Sequence, residues 1–207
     1  MRHAWVVSTP AIYVEILIDA PMDRVWELTQ NPAQHARWDL RFSRIARLHD
    51  LPGGGYRFAY ETRLPFHTIR GTGTSLGERH RDDGARTSAL KFTTTDPVSP
   101  LGDGRGYWRY ARTPTGMRFT TGYDYHPAWG RLLDRMVRPL VGWMTAWSFD
   151  RLRIWAETGV EPEKWPAASV LMFWRNDRPT ATRCSRTPLR GRAMDDAPAT
   201  LDTLETP

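Results

Sequence analysis

The chain has 207 residues, of which 40% are hydrophobic and 25% are charged. This composition is typical of a globular protein and excludes collagen-like, coiled-coil and wholly disordered chains. The single cysteine, Cys184, excludes a disulfide framework and a zinc site built from cysteines. The formal net charge is +6, but the arginines are scattered along the chain instead of clustered into a phosphate-binding stripe. We therefore expect no nucleic-acid partner.

No apolar run approaches the ~20 residues that a membrane-spanning helix needs, and the longest covers only residues 167–174. The chain opens with Met-Arg-His, which resembles the basic start of a signal peptide. The apolar run that follows, residues 4–7, is too short for the core of such a peptide. The sequence therefore predicts a cytoplasmic protein.

The first predicted elements are a strand over residues 11–19 and a helix that follows it. Isoleucine and valine alternate with polar residues along the strand, as in a strand with one buried face. Pro21 suits the first turn of a helix, where its missing N–H costs nothing. The helix presents Trp26 to a core and ends at Asn31-Pro32, and a second short helical turn leads to Trp38.

Strands separated by turn signals follow as far as residue 126. The pattern predicts six of them, over residues 41–48, 56–64, 67–79, 86–95, 106–112 and 117–125. Gly53-Gly54-Gly55 and Asp82-Asp83-Gly84 mark turns, and residues 96–104 read as a loop because of their prolines and glycines. Such short connections predict an antiparallel sheet.

The last strong pattern is a long amphipathic helix over residues 129–158, which Pro139 should bend and Gly159 should end. Residues 1–160 are therefore predicted as one domain and residues 161–207 as a tail. Within the tail, residues 176–207 are rich in Pro, Thr, Ser, Arg and acids, and this composition predicts disorder.

The order of elements is β-α-α-β6-α, which predicts an α+β fold: a seven-stranded curved antiparallel sheet wrapped around a long C-terminal helix. A strongly twisted sheet that grips one helix leaves space between the two. Aromatic strand residues and apolar helix residues would line this space as a ligand-binding cavity. They are Phe58, Tyr60, Phe92, Trp108, Tyr110, Phe119, Tyr123, Tyr125, Met136, Leu140, Met144 and Trp147.

Two stretches carry a family resemblance. The first reads Ile-Asp-Ala-Pro-Met-Asp-Arg-Val-Trp-Glu-Leu-Thr-Gln-Asn-Pro from Ile18 and is followed by Arg-Trp-Asp at 37–39. The second is Tyr-His-Pro-Ala-Trp-Gly-Arg-Leu-Leu-Asp-Arg-Met-Val-Arg-Pro-Leu at 125–140. They resemble the START-related, Bet v 1-like superfamily (SRPBCC), over roughly residues 11–158. Bacterial members are often labelled polyketide cyclase/dehydrase or lipid transport proteins. The resemblance implies the helix-grip fold and a cavity for hydrophobic ligands, but it implies no shared catalytic residue.

Few polar residues are candidates for chemistry near the predicted cavity. Alternation places Glu61, Arg109 and Asp124 on the outer face, whereas the orientation of His67 and Arg70 is open. His67 or Arg70, assisted by Tyr60 or Tyr123, would be the catalytic groups of an enzyme. The histidines show no metal-ligand spacing, and no nucleophile elbow is present, so we expect neither a metal nor another cofactor.

Three hypotheses follow. The first is a protein that binds a hydrophobic small molecule such as a lipid, polyketide or isoprenoid. The second is an aromatase/cyclase-type enzyme that holds a polyketide-like substrate in the same cavity, which requires an ionisable group pointing inward. The third is an interaction protein whose Trp-rich helix docks on a partner or, as a peripheral contact, on a membrane surface.

Overall fold

The computed structural model describes residues 10–79 and 82–207. Residues 1–9, which include the start predicted not to be a signal peptide, lie outside that part. The β-branched residues of the first predicted strand form β1, Ile12–Ile18, whose isoleucines and valine face the core. The other strands are β2 Arg44–Asp50, β3 Tyr56–Leu64, β4 His67–Glu78, β5 Arg86–Thr93, β6 Leu101–Thr113 and β7 Gly116–Pro127.

All seven strands form one antiparallel sheet in the order β1-β7-β6-β5-β4-β3-β2. Helices α1 Met22–Gln30, α2 Pro32–Trp38 and α3 Gly130–Thr158 complete the order of elements. The first strand thus pairs with the last, and β1 and β2 are the two edges of the sheet. The predicted α+β class, the curved seven-stranded sheet and the long C-terminal helix are confirmed.

The two short helices are held by specific contacts as well as by burial. Asn31 caps α2, because its side-chain oxygen accepts a hydrogen bond from the backbone N–H of Ala33 at 3.1 Å. Trp38 is fully buried, and its indole N–H donates to the carbonyl of Leu28 at 2.9 Å. Trp26 packs on the ring of Tyr110 with ring centres 5.1 Å apart. These contacts fix the start of the connection from α2 to β2.

Helix α3 has two unlike halves. Its C-terminal half is buried, and Phe149 stacks on Phe119 of β7 with ring centres 4.5 Å apart. Each such side chain contributes roughly 1.5–3 kcal/mol by leaving water. Its N-terminal half is mostly exposed, whereas the helix ends as expected at Gly159, which has a left-handed φ of 74°.

Strand β6 begins at Leu101, five residues earlier than predicted. Glycines that suggested a loop serve the sheet here, since the ring of Phe92 on β5 covers Gly104. A Cβ at Gly104 would lie only 2.0 Å from Phe92 Cζ. The glycine is therefore required by close approach of an aromatic ring, not by a turn.

The tail differs from the predicted disorder. It forms 3₁₀ turns at Pro162–Lys164, Ala167–Leu171 and Ala181–Arg183, and a short helix, α4, at Thr200–Thr203. Leu201 and Leu204 are buried against Ala89 of β5 on the outer face of the sheet. Leu76 of β4 packs against the same cluster, and the hydroxyl of Tyr107 on β6 donates to the carbonyl of Ala193, so the tail is held by apolar and polar contacts although its average composition is polar. The predicted domain boundary at residue 160 stays a prediction.

Candidate functional site

The inner face of the sheet, which is the face toward α3, is built from aromatic residues opposed by glycines. Phe58 and Tyr60 of β3 lie opposite Gly73 and Gly71 of β4. A Cβ at either glycine would lie 2.3 Å from the opposing ring, so the rings lie across the neighbouring strand. The absence of side chains at Gly71 and Gly73 therefore lets the two rings extend over β4.

The strand registers bring all eight predicted strand residues to this face. Phe92 and Trp108 are half-buried and the other six are buried. The eight are Phe58, Tyr60, Phe92, Trp108, Tyr110, Phe119, Tyr123 and Tyr125. Their contact with a ligand stays a prediction.

The four predicted helix residues divide between interior and surface. Trp147 is buried and Met144 is half-buried. Met136 and Leu140 are not packed on the sheet, because 76% and 55% of their surfaces are exposed. In this part of α3 the buried residues that face the sheet are instead Asp134 and Val141. The predicted apolar seam therefore points partly to solvent in the first half of the helix.

The polar candidates on β3 and β4 do not enter the interior. Glu61 and Arg70 are cross-strand partners on the outer face, with 3.4 Å between Arg70 Nε and Glu61 Oε1. By strand alternation His67 belongs to the inner face, but it lies at the end of the hairpin, where its Nε2 is 2.8 Å from Asp96 Oδ2. None of these three side chains reaches the aromatic face, and the catalytic roles suggested for His67 and Arg70 have no support in their positions.

The two remaining candidates also bind partners elsewhere. Arg109 lies on the outer face and donates to Asp83 at 2.6 Å. By strand alternation Asp124 belongs to the outer face, but it lies beyond the end of β1, where Arg138 Nη1 of α3 donates to it at 2.8 Å. Both carboxylate–guanidinium contacts therefore support the fold and leave these groups unavailable for chemistry on the inner face.

The charged groups that do enter the interior were missed by sequence reasoning. Asp39 and Arg41 lie in the connection between α2 and β2, and His35 lies in α2. Arg41 donates to Asp39 twice, from Nε at 2.9 Å and from Nη2 at 2.7 Å, and His35 Nε2 is 3.1 Å from Asp39 Oδ2. We call these three residues the inner polar cluster. The backbone N–H of Leu40 donates to Ser148 Oγ of α3 at 3.0 Å, which holds the connection beneath the helix.

The inner polar cluster lies against the aromatic face. The Arg41 guanidinium carbon is 5.4 Å from the ring centre of Tyr123, whose hydroxyl is 2.7 Å from Thr145 Oγ1 of α3. The side chain of Arg41 remains 19% exposed. The ring of His35 lies 4.9 Å from that of Trp108, measured between centres. Arg41 therefore lies between the sheet and the middle of α3.

Burial and pairing set the ionisation states of the cluster. Burial lowers the pKa of His35, although its contact with Asp39 opposes the effect. Burial alone would raise the pKa of Asp39, but the adjacent Arg41 charge and the hydrogen bonds from His35 and Arg41 hold that pKa well below its usual range. At neutral pH, Asp39 and Arg41 are thus an ion pair and His35 is neutral, with Nε2–H donating to the carboxylate.

The neighbouring phenols are neutral as well. Burial raises the pKa of Tyr60 to about 12, and burial also raises the pKa of Tyr123. The site is therefore an apolar wall with one ion pair, a neutral imidazole and hydroxyl groups, which suits a mainly apolar molecule that carries oxygen atoms. The motif Arg-Trp-Asp at 37–39 was the available sequence signal, but it spans the end of a helix of only seven residues, so the orientation of Asp39 was not predictable.

A cleft of about 500 Å³ lies elsewhere, at the outer edge of β1, where Glu15 pairs with Ser185 of the tail. It is bordered by residues 15–19, by Arg153 and Glu157 of α3 and by Arg183 of the tail. Arg153 pairs with Asp150 and Glu157, and Arg183 pairs with Asp150, so its charges are compensated. In residues 10–79 and 82–207, no group of three or more His, Cys, Asp or Glu side chains could hold a metal ion.

The curved sheet, the long helix and the aromatic inner face define a protein of the helix-grip, Bet v 1-like class. Residues 9–156 match the model of the family described as "Polyketide cyclase / dehydrase and lipid transport". The match spans more than half of the chain, and the chain belongs to this family.

A relative in Bacillus subtilis (strain 168) is named "Uncharacterized membrane protein YndG". It is 42% identical over 166 residues, which cover 77% of this chain and 62% of the relative. The chain thus spans less than two thirds of the relative's length. Within the described residues, none of the helices has the length and apolar character needed to cross a membrane.

Solved structures share the fold at low identity. Ara h 8.0201 has a TM-score of 0.55 and 11% identity, covering 70% of this chain and 96% of that chain. The di-domain ARO/CYC StfQ from the steffimycin biosynthetic pathway also has a TM-score of 0.55 and 11% identity, covering 70% and 50%. A STAR-related lipid transfer protein from Xanthomonas axonopodis has a TM-score of 0.51 and 16% identity, covering 67% and 83%. At these identities the likeness shows the fold alone.

Proposed function

We propose that the chain binds a hydrophobic small molecule between the inner face of its sheet and the first half of α3. The observation that supports this proposal is the aromatic face that β3 to β7 present toward α3, whose first half contacts that face through Asp134 and Arg138 at Tyr125 and is otherwise mostly exposed. Phe92 and Trp108 remain half-buried there, and Met136 and Leu140 are exposed along the helix. Apolar surface of this kind gains free energy when a ligand covers it.

The inner polar cluster adds a preference within this class of ligand. Asp39 occupies one edge of the Arg41 guanidinium, which has further N–H donors, and the side chain is partly accessible. A ligand with an apolar body and a carbonyl, hydroxyl or carboxylate end would place its oxygen atoms at Arg41. Lipids, polyketides and isoprenoids carrying such groups fit this description, and the family's description supports the same class.

Ligand binding is tested with anilinonaphthalene sulfonate as a fluorescent probe, displaced by a fatty acid, an isoprenoid alcohol and an aromatic polyketide. The informative variant is Phe92→Ala on the inner face, and the matched control is Phe173→Ala, whose ring is exposed in the tail. We expect F92A to weaken binding of the displacing ligand by at least about fivefold, consistent with loss of most of a buried ring. F173A should bind like the unmodified chain. Absence of displacement by all three ligands, or equal effects of both variants, would contradict the proposal.

A second candidate function, an aromatase/cyclase-type enzyme, is favoured by one observation. His35, Asp39 and Arg41 are the ionisable groups beside the aromatic face that such an enzyme would use, in place of the predicted His67 or Arg70. Neutral His35 is held by Asp39 and surrounded by Trp108, Trp38 and Phe42. An imidazole so held serves as an acid or base in enolisation and loss of water, provided that a substrate reaches it.

The enzyme hypothesis is tested by incubating the protein with a linear poly-β-ketone thioester and following cyclised, dehydrated product by mass spectrometry. Activity that His35→Gln abolishes while probe binding persists would support catalysis. Binding of the thioester without any turnover, above the rate in buffer, would leave the binding function as the better description.

A further inference from the structure

Apolar side chains are exposed together at one end of the molecule. Phe66 at the tip of the β3–β4 hairpin is fully exposed, and Val98 in the β5–β6 connection is also exposed. On α3 and at its start, Trp129, Leu132, Leu133, Met136 and Leu140 are exposed as well. We call these seven residues the apolar end surface. Large contiguous apolar surface is uncommon on a soluble monomer and marks a site of interaction.

The topology places these residues at the same end of the sheet. In an antiparallel sheet, the β3–β4 hairpin, the β5–β6 connection and the end of β7 all lie at one end. Hydrogen bonds join them, because the indole N–H of Trp129 donates to the carbonyl of Pro97 at 3.1 Å and His67 lies 2.8 Å from Asp96. The three segments that carry the apolar end surface therefore adjoin one another.

Helical spacing gathers the α3 members into a stripe. At ~100° per residue, positions 129, 132, 133, 136 and 140 fall within an arc of roughly 100°. The buried residues of this half, Asp134 and Val141, lie on the other side of the helix. The stripe thus points away from the part of the sheet on which α3 is seated.

Two exposed positive charges border this stripe. Arg131 and Arg135 are exposed there, and within residues 10–79 and 82–207 neither forms an ion pair. Two nearby acids are compensated, since Asp134 is buried beside Arg138 and Asp96 contacts His67, whereas Asp103 at the start of β6 is exposed and accepts a hydrogen bond from Thr93. An apolar surface bordered by free guanidinium groups matches the chemistry of an anionic membrane interface.

We propose that the apolar end surface docks on the surface of an anionic lipid bilayer. The protruding ring of Phe66 and the stripe on α3 insert among the acyl chains, and Arg131 and Arg135 contact the headgroup phosphates. A second copy of the chain fits less well, because a two-fold contact through the stripe would bring these arginines near their own symmetry mates. Docking itself does not require the proposed ligand. Its consequence does rest on the proposed function: because the same stretch of α3 borders the aromatic face, a docked protein would exchange an apolar ligand with the bilayer.

The test is sedimentation of the full chain with vesicles of phosphatidylglycerol and phosphatidylcholine, compared with phosphatidylcholine alone. We expect binding to the anionic vesicles that weakens as sodium chloride is raised. Phe66→Gln with Leu132→Gln removes apolar contacts, and Arg131→Glu with Arg135→Glu reverses the charge. Each pair should weaken binding by about tenfold or more, as expected for loss of interfacial anchoring.

Matched controls change the same residue types on another surface. Leu189→Gln with Leu171→Gln alters two exposed leucines of the tail, and Arg186→Glu with Arg190→Glu alters two exposed arginines there. Both should bind anionic vesicles like the unmodified chain. Equal losses in controls and test variants, or no binding of the unmodified chain to anionic vesicles, would overturn the proposal. The proposal would also be overturned if analytical ultracentrifugation showed a dimer that F66Q/L132Q dissociates while vesicle binding persists, because the surface would then be a contact between two copies of the chain. Probe displacement without vesicles reports separately on the ligand site.

Discussion

Arg41 donates two hydrogen bonds to the carboxylate of Asp39, from Nε to Oδ1 at 2.9 Å and from Nη2 to Oδ2 at 2.7 Å. The pair lies between Tyr123 on the sheet and the middle of α3. Because Asp39 is fully buried, its charge depends on this partner for compensation. The contact is therefore central both to the stability of the α2–β2 connection and to the proposed ligand site.

We expect Arg41→Met to destabilise the protein by about 3 kcal/mol, because it leaves a buried carboxylate without its cation. Asp39→Asn combined with Arg41→Met should recover at least half of that loss, since the uncompensated charge is then removed. Urea denaturation at pH 7 measures both values. A double variant that is no more stable than R41M would show that the loss arises from packing alone.

The pH dependence of stability should contain a contribution from His35. Burial lowers the pKa of its folded state, so below about pH 6.5 the unfolded chain binds a proton that the folded chain does not. Stability should consequently fall as pH decreases from 7 to 5, by up to about 1.4 kcal/mol per pH unit for this one group. The Asp39 contribution is present above its ordinary pKa and is lost only below about pH 4, because its folded pKa is depressed.

His35→Gln should flatten the dependence between pH 7 and pH 5, as measured by denaturation at several pH values. His49→Gln, which changes an exposed imidazole, is the matched control. An unchanged slope in H35Q would mean that His35 does not titrate differently in the two states.

The glycines of the inner face offer a test of how the aromatic wall shapes binding. In Gly104→Ala the new methyl would overlap the ring of Phe92, so this ring must move. We expect a stability loss of about 1–3 kcal/mol, typical of overpacking, and a change in ligand affinity in the probe-displacement assay. Gly53→Ala, where no atom lies within 4 Å, is the control and should change neither. A G104A protein with unaltered affinity would place the ligand away from Phe92.

The contact between tail and sheet is tested by Leu201→Ala. Leu201 is 2% exposed and packs with Ala89, so the variant should lose about 2–4 kcal/mol of stability in urea denaturation. Leu189→Ala, at an exposed position of the tail, should stay within about 0.5 kcal/mol of the unmodified chain. If both variants are as stable as the unmodified chain, the contact of Leu201 with the sheet contributes nothing to stability.

The sequence by itself determined the elements that obey a simple period. Alternation predicted β1, β3 and β7 to within about two residues at each end, and the aromatic strand residues share a face because side chains repeat every second residue. The class of fold followed from the order of these elements. Predictions were weakest where a glycine could indicate either a turn or a close contact within the sheet. In β6, Gly104 makes room for the ring of Phe92 and does not form a turn.

Only the tertiary structure decided which polar groups meet. His35, Asp39 and Arg41 stand in and after a short helix with no continuing period, and their orientation depends on α3, more than a hundred residues later, which fixes Leu40 through Ser148. The position of the tail likewise depends on distant contacts, among them Leu201 and Leu204 on Ala89 and the pairing of Ser185 with Glu15. Periodicity reports how neighbours along the chain share a face, whereas the meeting of distant segments depends on the complementary shape and charge of surfaces that exist only after folding.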